Sequence, residues 1–532
     1  MTGSMANDKN NAVFDKNITE EVALEHLGYE QELSRTTFGL IGMVAFAFSI
    51  VTSWSALAVT LVVGIESGGP SVIIYSWVGV SIFTLPVVYS MAEMCSAYPL
   101  AGGQYSWVAV LAPKSISRGF AYVCGWFTLI GVIAMGALQH FITANFVLAI
   151  ANMYNPDYTI QRWHTVLIAY LVALFVLAAT IYLPRYLDHI SRGMVIWNIK
   201  AFFIIIIVIL ACNDHKQPAR FVFVDFINLT GFGKSYAAVI GLLQAAFGMC
   251  CYDAPAHMVE ELVNGRREGP RAMIWSVYIG AVTGLIFLVA ASFCIGDIVT
   301  TATSSTGVPI VQVFLDSTAS KAAAACLTIL LLVIVIGAGH ALAAEAGRTV
   351  YAFARDTGLP FSNILKRVDK KRQVPVSALI LIVGVQMALI SIYFGTVTGF
   401  NTVVAIATEG FYLSYAMPLL ARLLSFVFSE KKHARIPGLY TLGAWSVPMN
   451  AIGLLFLVFL SITFNFPSAY PVTSENMNYT SAAVGFVMAI ALLFWIMTGR
   501  KHFAGPVIDG LVVDETKDDA AMTAGSESEG RK

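Results

Sequence analysis

Long apolar runs alternate with short polar stretches along most of this chain. Twelve runs between Phe38 and Met497 approach the ~20 residues that a helix needs to cross a bilayer. Ten of them read as plain membrane helices. The other two, Phe38–Gly64 and Tyr236–Glu260, are interrupted near their centres. The first carries Ser49, Thr52, Ser53 and Ser55 around Trp54, and such hydroxyls compete for backbone hydrogen bonds and ease local unwinding. The sixth passes through Gly248-Met-Cys-Cys251-Tyr252-Asp253-Ala-Pro255. A carboxylate and a proline at membrane depth are costly unless they line a cavity. The pattern therefore predicts breaks near Ser49–Ser53 and Gly248–Asp253 that face each other across a cavity.

The interrupted runs are the first and the sixth, which implies two five-helix halves. Five is odd, so the second half is inverted relative to the first. Inverted repeats with paired broken helices are how secondary transporters build a midplane binding site. The expected organisation is a polar tail over 1–35, a first repeat over 36–235, an inverted second repeat over 236–425, two further helices over 426–500 and an acidic tail over 501–532.

Composition places the chain in the membrane. It is 57% hydrophobic and 12% charged, with a mean hydropathy of +0.73, against about 25% charged in a soluble domain. The net charge is zero, but the cations are not evenly spread. With a cytoplasmic N-terminus, only Arg162, Lys216, Arg220, Lys234 and Lys321 fall on the outer side, and Lys200 falls inside a span. The remaining Lys and Arg are inner, as the positive-inside rule requires, which puts both termini in the cytoplasm. Lys370-Lys371-Arg372 belongs to that inner set and is not a nucleic-acid patch. The N-terminal residues lack the apolar core of a signal peptide, so the first span serves as the targeting signal. Both tails read as disordered. The sequons at Asn228 and Asn478 fall in expected outer loops and predict a glycoprotein, whereas Asn17 falls inside. The seven cysteines lie in or at the ends of spans, with no disulfide or metal spacing, and no cofactor is expected.

Three motifs then carry a resemblance. They are Glu93-Met-x-Ser96-x-Tyr98-Pro99-x-x-Gly102-Gly103-Gln104-Tyr105, Tyr252-Asp253-Ala254-x-x-His257-Met-x-Glu260-Glu261 and Phe353-Ala-Arg355-Asp356-x-Gly358-Leu-Pro360-Phe361. In this order the chain resembles the amino acid–polyamine–organocation (APC) superfamily, and within it the fungal amino acid/choline/GABA permeases, over about residues 36–500. The resemblance implies an all-α membrane protein with twelve transmembrane helices, a LeuT-type 5+5 inverted repeat plus two C-terminal helices, and a nitrogenous substrate. Just before Arg348 that family usually carries small hydroxyl residues, whereas this chain has Glu345-Ala346-Gly347.

The expected substrate site lies between the two breaks. Its candidates are Ser49, Thr52, Ser53 and Trp54 from the first run, with Phe247, Gly248, Cys251, Tyr252 and Asp253 from the sixth. Half-helix N-termini can hold a carboxylate and exposed carbonyls an ammonium. Trp54 and Tyr252 are expected to stack on a quaternary ammonium, worth about 2 kcal/mol when desolvated. Asp253 supplies the counter-charge or caps the second half-helix. Lys200 sits about 13 Å inside its span, by a rise of 1.5 Å per residue. In related transporters a lysine of helix five can replace a sodium ion, and Lys200 resembles that lysine, with Glu345 its expected partner and the proton the coupling ion. His140, His340 and Glu409 are further buried polar candidates. Glu93, Glu260 and Glu261 with Arg348 and Arg355 could form a network at the inner helix ends.

These features predict a permease that imports a small amine-bearing solute by alternating access, choline first, GABA or another amino acid as the alternative. The plasma membrane is the expected site, with the vacuole the other. A nutrient sensor on a transporter fold is the rival of another class, and it usually carries a longer signalling tail. A channel is disfavoured by broken helices. An enzyme is the least favoured class, since no nucleophile–base pair or metal cluster stands out, and the lack of a nucleotide motif speaks against a pump.

Overall fold

In this computed structural model the described residues are 39–506, apart from 263, 305, 429–435, 437, 475 and 504. Both expected tails, and the sequon at Asn17, lie outside them. The fold belongs to one compact unit, Leu33–Gly505. It is helical, with a single pair of two-residue strands, β1 (Ser67–Gly68) and β2 (Ile227–Asn228), among the described residues.

The first run forms α1 (Leu40–Val51), α2 (Ser53–Val59) and α3 (Leu61–Glu66). Then come α4 (Pro70–Ala97), α5 (Gln104–Leu111), α6 (Ser117–Tyr154), α7 (Arg162–Tyr182) and α8 (Leu187–Cys212). The sixth run is α9 (Lys234–Gly248) and α10 (Ala254–His257). After it follow α11 (Gly265–Cys294), α12 (Pro309–Thr318), α13 (Lys321–Arg355), α14 (Val376–Gly395), α15 (Val397–Phe428), α16 (Ser446–Thr463) and α17 (Thr480–Phe494). Eleven helices among the described residues are long and apolar enough to cross a membrane. The twelfth expected span is the broken pair α9/α10, where neither piece reaches that length.

Sequence explains where the helices start and stop. Pro70 stands in the first turn of α4, where its missing N–H is not needed. Ser320 caps α13 by accepting from Ala323 N–H. The turn between α4 and α5 passes through Gly103 at φ 55°, and a Cβ there would sit 2.8 Å from the His257 ring. Gly248 brings the broken helices together, since its Cβ would meet Leu57 at 2.9 Å. Around this centre α11 packs on α4 and α1, and α6 packs on α13 and α15. Many side chains on the outer surface are apolar, such as Leu171, Phe175, Ile207 and Leu455, each over 60% exposed. That surface suits a hydrocarbon solvent and not water.

Candidate functional site

Each break centres on a non-glycine residue in the left-handed region. Thr52, between α1 and α2, has φ 28° and ψ 44°, and Cys251, between α9 and α10, has φ 61°. Such conformations cost ~1–3 kcal/mol for ordinary residues and persist where surrounding structure imposes them. Thr52 and Cys251 line the same small cavity of about 10 Å³, with Val51, Ala56, Phe247 and Cys250. That space is of the order needed by one water. Met135 and Gln139 of α6 and Ala338 and Leu342 of α13 close its other sides.

The two half-helices present opposite polarity to this cavity. α2 begins at Ser53, so its first N–H groups lie at the break, whereas α9 ends there with its last carbonyls. Two tyrosines of α15 brace the second break. Tyr412 donates to the Ala246 carbonyl at 3.1 Å, and the Tyr415 hydroxyl accepts from Cys251 N–H at 3.1 Å. Tyr415 also donates to the carboxylate of Asp253.

Asp253 is wholly buried and is a hydrogen-bond junction. Besides Tyr415, its carboxylate accepts from the Gln104 amide and lies 3.3 Å from His257 Nε2. His257 Nδ1 donates to the Ala101 carbonyl at 2.9 Å. Glu345 of α13 is 1% exposed, and neither of its carboxylate oxygens has a hydrogen-bond partner. Asp253, His257 and Glu345 bring one ligand-type atom each within 4.8 Å of one another. Asp253 and His257 are already engaged, so the free donor set is a single carboxylate, which does not fit a metal centre.

Further along α13 and beyond α10, ion pairs join the helix ends. Arg348 meets Glu261 through two bonds of 2.6 and 3.2 Å, and its side chain is 5% exposed. Arg355 meets Glu260 at 3.0 and 3.1 Å, and Glu260 also accepts from Ala101 N–H at 2.8 Å. Tyr105 donates to Asp356 at 2.9 Å. Glu93 receives Leu442 N–H and the Ser446 hydroxyl, which ties the end of α4 to the start of α16.

A family model described as amino acid permease matches residues 36–491. The chain belongs to the amino acid permease family. A Macrophomina phaseolina protein provisionally named an amino acid/polyamine transporter is 58% identical, over 83% of this chain and 97% of its own length. An amino-acid permease of Arabidopsis thaliana is 30% identical, over 92% of this chain and 96% of its own. A choline transporter of Saccharomyces cerevisiae is 31% identical, over 88% of this chain and 82% of its own. The chain is thus a membrane transporter of this family and not an enzyme.

The permease places its sequence-expected residues unevenly. Thr52, Phe247 and Cys251 line the central cavity. Gly248 instead faces Leu57 and Trp77. Ser49 is buried, but its hydroxyl donates back to Ala45 O at 2.8 Å, within its own helix. Ser53 is buried against Gly280 of α11, where a Cβ would lie 2.4 Å from its oxygen. Tyr252 packs on Tyr415, ring centres 4.9 Å apart.

Other expected residues lie apart from the central cavity. Trp54 is not on the central cavity. It packs on Phe202 and Phe287, donates to Asn198 at 2.7 Å and lines an apolar groove of about 680 Å³ between α1, α8 and α11. Asp253 stands at the N-cap position of α10, yet its carboxylate makes no capping bond, because stronger donors hold it elsewhere. Lys200 is exposed on α8, and no described hydrogen bond or ion pair joins it to Glu345. The reason is angular: Asn198 faces inward at 2% exposure, and two residues along a helix turn by roughly 200°. The sequon asparagines are half-buried, and their amide groups bond to nearby backbone. Asn228 donates to Phe232 O at 2.6 Å, and Asn478 to Phe464 and Phe466 carbonyls at 2.6 and 2.9 Å. His140 contacts Gln386 at 3.2 Å and Glu409 accepts from Asn465 at 3.0 Å, both away from the cavity lining.

Gln104, His257, Tyr412 and Tyr415 were not singled out from sequence as site residues. Gln104 and His257 stood inside the quoted motifs, but the tyrosines of α15 gave no local signal.

Proposed function

We propose that this permease imports a zwitterionic amine, of the amino-acid or GABA type, by alternating access at the cavity between Thr52 and Cys251. One observation carries the reading. The N–H end of α2 and the carbonyl end of α9 meet at one cavity, and these suit a carboxylate and an ammonium respectively. The two five-helix halves, 36–235 and 236–425, would rock against each other around this point. The ion pairs of Glu260 and Glu261 with Arg355 and Arg348 would then be the contacts that part on the cytoplasmic side. That orientation rests on the positive-inside bias, with both termini cytoplasmic. The plasma membrane is the proposed location and a proton gradient the proposed driving force.

Choline is the second reading. It is favoured by the likeness to a yeast choline transporter and by Tyr252, Tyr412 and Tyr415 clustered at the break. The position of Trp54 off the cavity weighs against it, because a quaternary ammonium is held best by aromatic faces. The test is uptake of radiolabelled alanine, GABA and choline by the full chain in transporter-deficient yeast. Uptake of alanine or GABA, with choline a poor competitor, supports the first reading. Choline uptake alone selects the second, and uptake of none of the three defeats both.

A further inference from the structure

Glu345 does not line the central cavity, yet among the described residues it is the one buried carboxyl with neither oxygen hydrogen-bonded. It is a carboxyl at mid-helix, 1% exposed, with both oxygens lacking a donor. A charged carboxylate in that setting would carry its full desolvation cost. Among the described residues no cation is hydrogen-bonded to it. Arg348, three residues along α13, is committed to Glu261, and Lys200 of α8 is turned outward. The titratable groups that face Glu345 come from the second break and α10: Asp253, Cys250, Cys251 and His257. α1 brings no titratable side chain. α6 brings His140, which meets α13 earlier, near Gly339, and bonds to Gln386 of α14.

The neighbouring pair is bonded to other partners. His257 Nδ1 faces the Ala101 carbonyl, which can only accept, so that nitrogen carries a hydrogen. His257 Nε2 then faces Asp253 Oδ2 at 3.3 Å, and two lone pairs at that separation repel unless a proton lies between them. Asp253 and His257 are therefore engaged with each other, and neither donates to Glu345.

From these two arrangements we propose that Glu345 is the proton-carrying group of the transport cycle, and that Asp253 and His257 set its proton affinity from the second break. When the cavity opens to the outside, an O–H bond forms at Glu345 with a proton taken from water. The closed form holds that proton beside the paired Asp253 and His257. When the break carrying Asp253 shifts and the inner side opens, the O–H bond breaks and the proton leaves to cytoplasmic water. One proton crosses for each solute, and no other reactant is needed. The coupling part of this proposal rests on the transport reading above; the protonated state of Glu345 does not.

The experiment has two arms that separate them. In the first, the purified full-length protein in lipid is examined by infrared spectroscopy. A protonated-carboxyl stretching band that disappears in Glu345→Gln supports the proposal, and its absence from the wild type overturns it. In the second, proteoliposomes with an imposed pH gradient take up radiolabelled alanine, GABA and choline. The expected result is that Glu345→Gln loses pH-driven accumulation, its ratio falling to about one, while exchange of internal for external solute remains measurable. Glu345→Asp should keep accumulation with a displaced pH profile. Full pH-driven accumulation in the Gln variant, or accumulation driven by sodium and not by pH, overturns the proposal. If the Gln variant is inactive in exchange too, an Asp profile coinciding with that of the wild type overturns it. A wild type that moves none of the three solutes defeats the transport reading, and the proposed coupling with it, whatever the infrared band shows.

Discussion

The hydroxyl of Tyr415 joins the two ends of the second break: it accepts from Cys251 N–H and donates to Asp253. One side chain from α15 thereby fixes the shape of an irregular segment at membrane depth. A hydrogen bond to a charged group contributes ~1.5–3 kcal/mol. Tyr415→Phe keeps the ring packing and deletes the bond. It should lower uptake of alanine or GABA by roughly 10- to 100-fold, taking that range as an upper limit on what the bond supplies to the functional state. Normal surface expression with normal uptake would show that the bond is dispensable.

Asp253→Asn should be more damaging than Tyr415→Phe. An amide replaces one acceptor oxygen with a donor, so it cannot receive Gln104, Tyr415 and His257 together. Uptake per surface-expressed molecule should fall below detection. Recovery by Gln104→Glu in the same chain, which restores an acceptor opposite the new donor, would identify the lost bond as the cause.

The Arg348–Glu261 pair predicts an asymmetric outcome. Breaking a buried ion pair by removing one partner costs ~3–5 kcal/mol, because the other charge is stranded. Arg348→Met and Glu261→Gln should each lower thermal stability. The double variant should be more stable than the sum of its parts implies. Thermal unfolding of purified variants measures this, and strict additivity would show that the two residues do not interact in the working protein.

Cys251 lines the central cavity and should report occupancy. A small membrane-permeant thiol reagent is expected to inhibit uptake, and an excess of the transported solute to protect. Cys251→Ala should remove the protection-sensitive inhibition, whereas Cys326→Ala, on the exposed side of α13, should not. Inhibition that no solute affects would place Cys251 off the permeation path.

Lys200→Gln and Trp54→Phe test the assignments of these two residues. Lys200 is turned outward, so its loss should change neither sodium dependence nor the pH profile of uptake. Trp54 faces the lateral groove, so Trp54→Phe should leave KM for solute within about twofold, by the small cost expected of a shape-conserving swap. A large KM change would return Trp54 to the solute site.

The breaks were readable in the chain because unwinding is a local property. Hydroxyls around Thr52, and Gly248 with Pro255 around Asp253, act on their own backbone, and twelve apolar runs fix the number of crossings wherever the helices end up. The ends of the ion-pair network were readable for the same reason, since Glu260, Glu261, Arg348 and Arg355 all sit where runs stop. Tertiary structure decided which way each side chain points. Lys200 and Asn198 share one helix, and only the packing of α8 against α1 and α13 selects Asn198 to face Trp54 and turns Lys200 away. The same holds for Asp253. Its position at a half-helix start suggested a cap, but Gln104 and Tyr415 arrive from 149 and 162 residues away and hold the carboxylate first. Helix rotation depends on packing between distant segments, whereas a helix break depends on the few residues that form it.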